Sequence, residues 1–331
     1  MDAPLLKVTG LKRYFDVSPP WLSRVIERKS RRLLKAVDGV SFEVPRGKTF
    51  SLVGESGCGK STVAKCIVGL HGMTAGAITF DGVQVKDTAS RSAMLPVRRR
   101  LQMIFQDPYA SLNPRWKVKS IVAEPIRAFR QAQEREAVMR QVGDLLHSVG
   151  LTLADADRYP HEFSGGQRQR ISIARALASR ADFIACDEPT SALDVSVQAQ
   201  ILNLMKDLQG RFGLTYLLIS HNLAVVRHMS DSIGVMYLGR LVEVRHGDAL
   251  FDDPRHPYTR MLLNAIPSLE IIGQDRTPLA GEVPSPIDPP AGCHFHPRCP
   301  YANQRCREEP PALLAVPAGE VACHAVHEGR I

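Results

Sequence analysis

The chain has 331 residues, 44% of them hydrophobic, enough to bury one large domain with an appendage or two ordinary domains, so a globular protein is expected. Lysine and arginine number 42 against 34 aspartate and glutamate, a formal charge of +8, which favours anionic partners such as nucleotide, nucleic acid or lipid headgroups without choosing among them. The longest apolar runs, such as Phe183 to Cys186 and Thr215 to Ile219, are strand-length and far short of the roughly eighteen residues of a membrane span, which excludes a chain that crosses a membrane by itself.

Met1 to Gly10 lack the basic region and apolar stretch of a secretory signal, so a cytosolic location is expected. From about Leu5 to Met236 short β-branched runs alternate with longer helical patterns, the mark of an α/β domain with a partly parallel sheet. Strands are expected at Leu5 to Thr9, Gly39 to Val44, Thr49 to Val53, Ala77 to Phe80, Ile104 to Phe105, Asp182 to Cys186, Thr215 to Ile219 and Ser232 to Tyr237. The segment Asp16 to Lys35 interrupts them. There Trp21, Leu22, Val25 and Ile26 lie among Arg24, Arg28, Lys29, Arg31, Arg32 and Lys35, either as an amphipathic helix against membrane or partner or as a surface insertion. Arg98, Arg99 and Arg100 form a second basic run, either solvated surface or binding patch.

Between Gln106 and Arg180 the pattern turns helical, with apolar residues at helical spacing from Glu134 to Val149, so a helical subdomain is expected at about 107–180. After about Tyr258 proline is dense, at Pro284, Pro286, Pro289, Pro290, Pro297, Pro300, Pro310 and Pro311, which predicts a separate loop-rich tail. The expected division is therefore a domain over 1–257 and an extension over 258–331, with no long-period repeat.

Gly54-Glu55-Ser56-Gly57-Cys58-Gly59-Lys60-Ser61 fits the pattern G-x-x-x-x-G-K-[ST], directly after an expected strand and before an expected helix. Glycines let backbone N–H groups curl around phosphate oxygens, Lys60 reaches the terminal phosphates, and Ser61 can ligate Mg²⁺. Cys58 inside the loop reads as a small space-filler. Further on, the apolar run from Phe183 ends in Asp187 and Glu188, where the carboxyl edge of a sheet meets its ligand. Asp187 would hold Mg²⁺ through water, and Glu188 would orient and polarise the attacking water. Solvated strand caps are the alternative for such an acidic pair.

Phe163-Ser164-Gly165-Gly166-Gln167-Arg168-Gln169-Arg170, taken with Lys60 and Glu188, resembles the signature sequence of ABC transporter ATPases. Ser164, Gly165, Gly166 and Gln167 precede an apolar helix, expected over Ile171 to Ala178, and offer its N-terminus to phosphate. The resemblance implies that this element completes the ATP site of an opposing subunit. It also implies roles for Gln106, which senses Mg²⁺ and water and faces the membrane partner, for Asp194 in the loop Ser191-Ala192-Leu193-Asp194 that crosses the dimer, and for His221, the switch histidine on the γ-phosphate. Phe15, or Tyr14, matches the aromatic residue that stacks on adenine, and Thr62 closes the nucleotide-binding set. Asn222 departs from the aspartate common after the switch histidine, keeping its size and losing its charge; activity is expected to survive.

Val53 to Thr62, Phe105 to Pro114, Tyr159 to Arg170, Ser191 to Asn203, Met236 to Arg240, Pro254 to Thr259 and Asn264 to Pro267 resemble the dipeptide and oligopeptide importer ATPases, with coverage of nearly the whole chain. The insertion bearing Trp21 is similar to that of the second of two paralogous ATPase subunits. The resemblance then implies a heterodimer with the sister ATPase, two membrane permeases, an external peptide-binding protein, a place on the cytoplasmic face of the inner membrane, and no nucleic acid. Import of another solute, such as nickel or a sugar, or a soluble ABC ATPase on ribosomes or DNA, are the alternatives; the fused ATPase pairs or long coiled coils of that last class are absent from the sequence.

Cys293, Cys299, Cys306 and Cys323 fall within the last 39 residues, separated by five, six and sixteen residues. Four thiolates can hold a [4Fe-4S] cluster or zinc. The tight knuckle of a zinc ribbon is missing, although His294, His296 and His324 could substitute, and importer ATPases with such a tail resemble iron–sulfur carriers. Free cysteines in a proline-rich tail are the alternative.

Overall fold

The computed structural model describes residues 3–20, 30–85, 91–129, 134–264 and 281–331. The amphipathic reading of Trp21 to Ile26 and the motif residues from 265 to 267 lie outside them. The chain opens with β1 (Leu6–Asp16), β2 (Leu33–Val44) and β3 (Thr49–Val53), and after the glycine loop enters α1 (Lys60–Ile67). β4 (Ala75–Phe80), β5 (Val83–Val85), α2 (Arg91–Arg100) and β6 (Leu101–Ile104) follow. A helical stretch comes next, with α3 (Pro108–Ser111), α4 (Val118–Ala128), α5 (Arg135–Ser148), two short 3₁₀ turns and α6 (Gly165–Leu177). Strands and helices then alternate as β7 (Phe183–Asp187), α7 (Val195–Phe212), β8 (Thr215–Ile219), α8 (Leu223–Met229), β9 (Ser232–Tyr237) and β10 (Arg240–His246). The last elements are α9 (Ala249–Asp252), α10 (Pro257–Asn264), α11 (Gln304–Glu308), β11 (Leu314–Val316), β12 (Gly319–Val321) and α12 (His324–His327).

Two sheets result. β2, β1, β4 and β5 form an antiparallel sheet in that order, and an eight-stranded sheet runs β11-β12-β10-β9-β3-β8-β7-β6. Within it β6, β7, β8, β3 and β9 are parallel. Every residue of β3, β7 and β8 is buried, which is why β7 from Phe183 to Cys186 and β8 from Tyr216 to Ile219 read in the sequence as continuous apolar runs rather than as alternations. One core fills the space between the two sheets, where the Phe42 and Phe50 rings stack at 4.5 Å. A second joins the large sheet to the helical stretch through residues such as Ile104, Val122, Val142, Ile171, Ile184 and Leu218, and a third gathers Tyr237, Tyr258 and Phe295.

The structure extends and corrects the sequence expectations. β1 and β2 run past the expected Leu5 to Thr9 and Gly39 to Val44 because they pair as far as Asp16 and Leu33. The strand expected at Ile104 to Phe105 sits three residues earlier, where Leu101 to Ile104 pair with Phe183 to Cys186. The extension joins the large sheet at its edge: β12 pairs with β10, Val321 opposite Glu243. Strands three residues long beside proline and glycine carry no alternation by which to see them.

Candidate active site

β3 delivers the chain into the glycine loop and α1 carries it away. Gly54, Gly57 and Gly59 have φ of 149°, 79° and 106°, backbone that side chains rarely adopt. A Cβ on Gly54 would stand 2.2 Å from the Met236 carbonyl oxygen, and one on Gly59 2.1 Å from that of Ala36, so these positions admit only glycine. Cys58 is buried, and burial pushes its thiol up, in keeping with a space-filling role. Lys60 is buried at the start of α1, and its ammonium donates to the carbonyls of Gly54 at 2.8 Å and Glu55 at 2.9 Å.

The hydroxyl of Ser61 donates to Asp187 Oδ1 at 2.8 Å. Asp187 closes β7 and is buried; burial pushes its carboxyl above the usual range, against the Ser61 hydrogen bond and the Lys65 charge. Glu188 follows with φ of 46°, a left-handed conformation of the kind that concentrates at functional sites. Its N–H donates to Ile219 at the end of β8 at 2.9 Å. On the side chain, the Gln106 amide donates to Oε2 at 2.9 Å and His221 Nδ1 lies 3.1 Å from Oε1. Residues just beyond the carboxyl ends of β6, β7 and β8 thus meet at one carboxylate, beside the loop that follows β3, as ligand sites of parallel sheets do. The donor set of Ser61 and Asp187, beside the backbone of the glycine loop, fits a magnesium ion with a polyphosphate.

At the end of β1, Phe15 packs edge-on against His71, ring centroids 5.5 Å apart, with the Arg13 guanidinium 4.5 Å above its ring. Tyr14 is engaged elsewhere. Its hydroxyl donates to Asp38 Oδ1 at 2.5 Å, and Asp38 accepts both Nε and Nη2 of Arg240, at 3.0 and 2.7 Å. Ser164 and Gln167 cap α6 reciprocally, Gln167 N–H to Ser164 Oγ at 3.3 Å and Ser164 N–H to Gln167 Oε1 at 3.0 Å. The helix therefore begins at Gly165, six residues before the expected Ile171. Gly165 and Gly166 face Leu193 and Val197, with 2.4 Å between an added Cβ on Gly166 and Val197 Cγ1. Asp194 caps α7 from the same loop, accepting from Val197 N–H at 2.9 Å and Ser196 Oγ at 2.8 Å. Asn222 caps α8, its Oδ1 accepting from Ala224 and Val225, which a neutral amide does as well as a carboxylate.

The four tail cysteines approach one another without forming the expected ligand set. Cys293 N–H donates to the Cys306 carbonyl at 2.9 Å. Burial, with a smaller contribution from the neighbouring cysteine sulfurs, pushes the Cys293 thiol up to about 12 and Cys299 to about 11. Among the described residues no group of three or more His, Cys, Asp or Glu side chains is arranged to hold a metal ion. Of the two residues that hold Glu55 from the C-terminal side, Arg298 has no part in the sequence expectations, and Tyr258 enters them only within the Pro254 to Thr259 resemblance, with no role at the loop. A tyrosine and an arginine in a proline-rich tail carry no local pattern that points to the loop.

Comparison with known proteins agrees along the chain. The family model described as ABC transporter matches residues 37–191, and the one described as oligopeptide/dipeptide transporter, C-terminal region, matches 242–306. The oligopeptide transport ATP-binding protein AppF of Bacillus subtilis is 48% identical over 324 residues, 97% of this chain and 97% of that one. The di/tripeptide transport ATP-binding protein DppF of Pseudomonas aeruginosa is 47% identical over 321 residues, again 97% of each. Among solved structures, the ATP-binding cassette MJ0796, a dimer in a post-hydrolysis state with ADP and Pi, superposes with a TM-score of 0.63 at 25% identity, covering 73% of this chain and 98% of that one. The cbiO1 protein of Clostridium perfringens, part of the ABC transporter complex cbiONQ, also has a TM-score of 0.63 at 25% identity, covering 76% of this chain and 92% of that one.

Proposed function

This chain belongs to the ABC transporter ATPases, in their oligopeptide/dipeptide branch, and from that premise we propose that it hydrolyses ATP to energise import of di- and oligopeptides. The observation that carries the reading is the Glu188 carboxylate, held by Gln106 and His221 at the sheet edge beside Lys60 and the Ser61–Asp187 pair. In this reading Lys60 and the loop from Gly54 to Thr62 bind the phosphates. Phe15 supports adenine, Glu188 orients and polarises the attacking water, and His221 and Gln106 hold Glu188 in place and report the γ-phosphate. Magnesium held by Ser61 and Asp187 would neutralise phosphate charge.

In the same reading, the partners take two surfaces of the chain. Ser164 to Gln167 and Asp194 form one unit through the contacts of Gly166 with Val197, and this unit faces the paralogous ATPase of a heterodimer, in which this chain is the second of the two subunits. A cleft of about 350 Å³ between β6, α4 and α6, lined by Met103, Phe105, Leu112, Pro125 and Arg175, receives a permease. Among the described residues no helix is long and apolar enough to cross a membrane, and the chain sits peripherally on the cytoplasmic face of the inner membrane through its permeases. The working division is an ATPase domain over 1–257 with its helical subdomain at about 107–180, and an extension over 258–331.

Cys293, Cys299, Cys306 and Cys323 would take a [4Fe-4S] cluster, or zinc, after a rearrangement of side chains. The nearness of the four thiols supports this, and the arrangement described above does not itself form the site. Counting iron, sulfide and zinc in the anaerobically purified chain and in Cys299→Ser decides it.

The test of function is ATP turnover by the complex with sister ATPase and permeases, with and without binding protein loaded with di- or tripeptides. Peptide-stimulated turnover lost in Glu188→Gln supports the reading; turnover that ignores peptides overturns the substrate.

A further inference from the structure

Glu55 is the second residue of the phosphate-binding loop, and the C-terminal part of the chain holds it from two directions. Its carboxylate receives both terminal nitrogens of Arg298, Nη1 at 2.8 Å from Oε2 and Nη2 at 3.1 Å from Oε1. Its backbone N–H donates to the Tyr258 hydroxyl at 2.9 Å. Arg298 closes the 3₁₀ turn His296–Arg298, next to Cys299, and its side chain is 3% exposed. The guanidinium carbon lies 5.8 Å from the Tyr237 ring centre and 5.9 Å from that of Phe295. Tyr237, Tyr258 and Phe295 are themselves fully buried.

This enclosure separates the pair from an ordinary surface salt bridge, which salt and water weaken to near nothing. A planar fork that binds a carboxylate bidentately fixes direction as well as distance. The direction reaches the loop, because the Glu55 carbonyl accepts from Lys60 Nζ at 2.9 Å and from Cys58 N–H at 3.3 Å. Displacing Glu55 therefore displaces the ammonium that reaches the phosphates.

We propose that Arg298 is a positioning residue of the nucleotide site: through Glu55 it fixes the opening of the phosphate-binding loop, so that the C-terminal extension sets how tightly ATP is held. The proposal rests on the reading of residues 54–61 as the ATP site. It assigns the extension a part in nucleotide binding, which neither its proline density nor its cysteines suggest.

The test compares wild type, Arg298→Met, Arg298→Lys, Glu55→Gln and the double variant Glu55→Gln/Arg298→Met. A fluorescent ATP analogue titrated into the full-length chain gives affinity, and the assembled transporter gives KM and kcat. Arg298→Met is expected to weaken ATP binding and raise KM by roughly tenfold while kcat changes by less than about twofold, the pattern of lost uniform binding. Arg298→Lys should recover part of the loss. Adding Glu55→Gln to Arg298→Met should weaken binding no further, because the two side chains act as one unit. Unchanged affinity in a folded Arg298→Met, or losses that add in the double variant, would overturn the proposal. If Arg298→Met does not fold, the double variant, which leaves no unpaired charge, and Arg298→Lys carry the same comparison. The binding arms need no peptide, so turnover that ignores peptides would remove the import reading and leave this proposal standing.

Discussion

Ser61 and Asp187, 126 residues apart in sequence, are joined by a hydrogen bond of 2.8 Å from hydroxyl to carboxylate. The bond links the helix that leaves the glycine loop to the end of a central parallel strand, and so fixes the two elements against each other. Glu188 stands one residue beyond it, turned by its left-handed backbone toward Gln106 and His221.

Glu188→Gln keeps the size and hydrogen-bonding reach of the side chain and removes its charge and basicity. Turnover is expected to fall by about 10² to 10⁴-fold, the usual contribution of a positioned base, while ATP affinity changes by only a few-fold because the loop is untouched. Equilibrium binding and steady-state hydrolysis on the same preparation check this. Turnover within about threefold of wild type would mean that the sister site carries hydrolysis.

Gly166→Ala should act through packing. Its new Cβ would lie 2.4 Å from Val197 Cγ1, so Val197 must leave its rotamer or α6 and α7 must move apart, an overpacking strain of about 1–3 kcal/mol. Val197→Ala in the same chain opens the space and should return most of the stability, as read by urea denaturation. If instead Gly166→Ala is stable and only turnover falls, the glycine serves a ligand and not the helix contact.

The glycine loop, the strand ends and the presence of a helix after Ser164 were legible because each is a local pattern: glycines at fixed spacing, an apolar run ending in two carboxylates, a serine and two glycines ahead of an apolar stretch. Their meeting was not. That Gln106 and His221 share Glu188 depends on strand order in the sheet, which spacing along the chain does not encode. Arg298 was invisible for the same reason, since 243 residues separate it from Glu55. The tail read as separate because its proline density is real, yet Val321 still finds Glu243 across the sheet edge. Thr215 to Ile219 stood out by contrast, because burial on both faces leaves an uninterrupted apolar run.

Asn222→Asp restores the charge common in the family and should change little, since either side chain caps α8. Stability within about 0.5 kcal/mol and turnover within about twofold are expected. Asn222→Ala removes the acceptor for Ala224 and Val225 and should lower stability by about 1 kcal/mol. Thermal or urea unfolding of the three forms separates these outcomes, and equal stability of all three would show that the cap contributes nothing.

Acid sensitivity should begin well above the carboxylate range. His256 is fully enclosed, and burial, with Arg260 nearby, pushes its imidazole down to about 3. Its Nδ1 accepts from Tyr258 N–H at 3.0 Å, which only the neutral ring can do. The unfolded chain, with an ordinary histidine near 6.5, takes the proton first. The stability that His256 supports is thus present above about pH 6.5 and is lost as pH falls toward 3, by about 2 kcal/mol at pH 5. His294, pushed down to about 4 by burial and Arg240, adds a similar share in the same window. His256→Asn keeps an acceptor for Tyr258 and cannot take up the proton, so its stability should fall less steeply between pH 7 and 5 in urea denaturation. Parallel slopes for variant and wild type would show that His256 is not the group that acid reaches first.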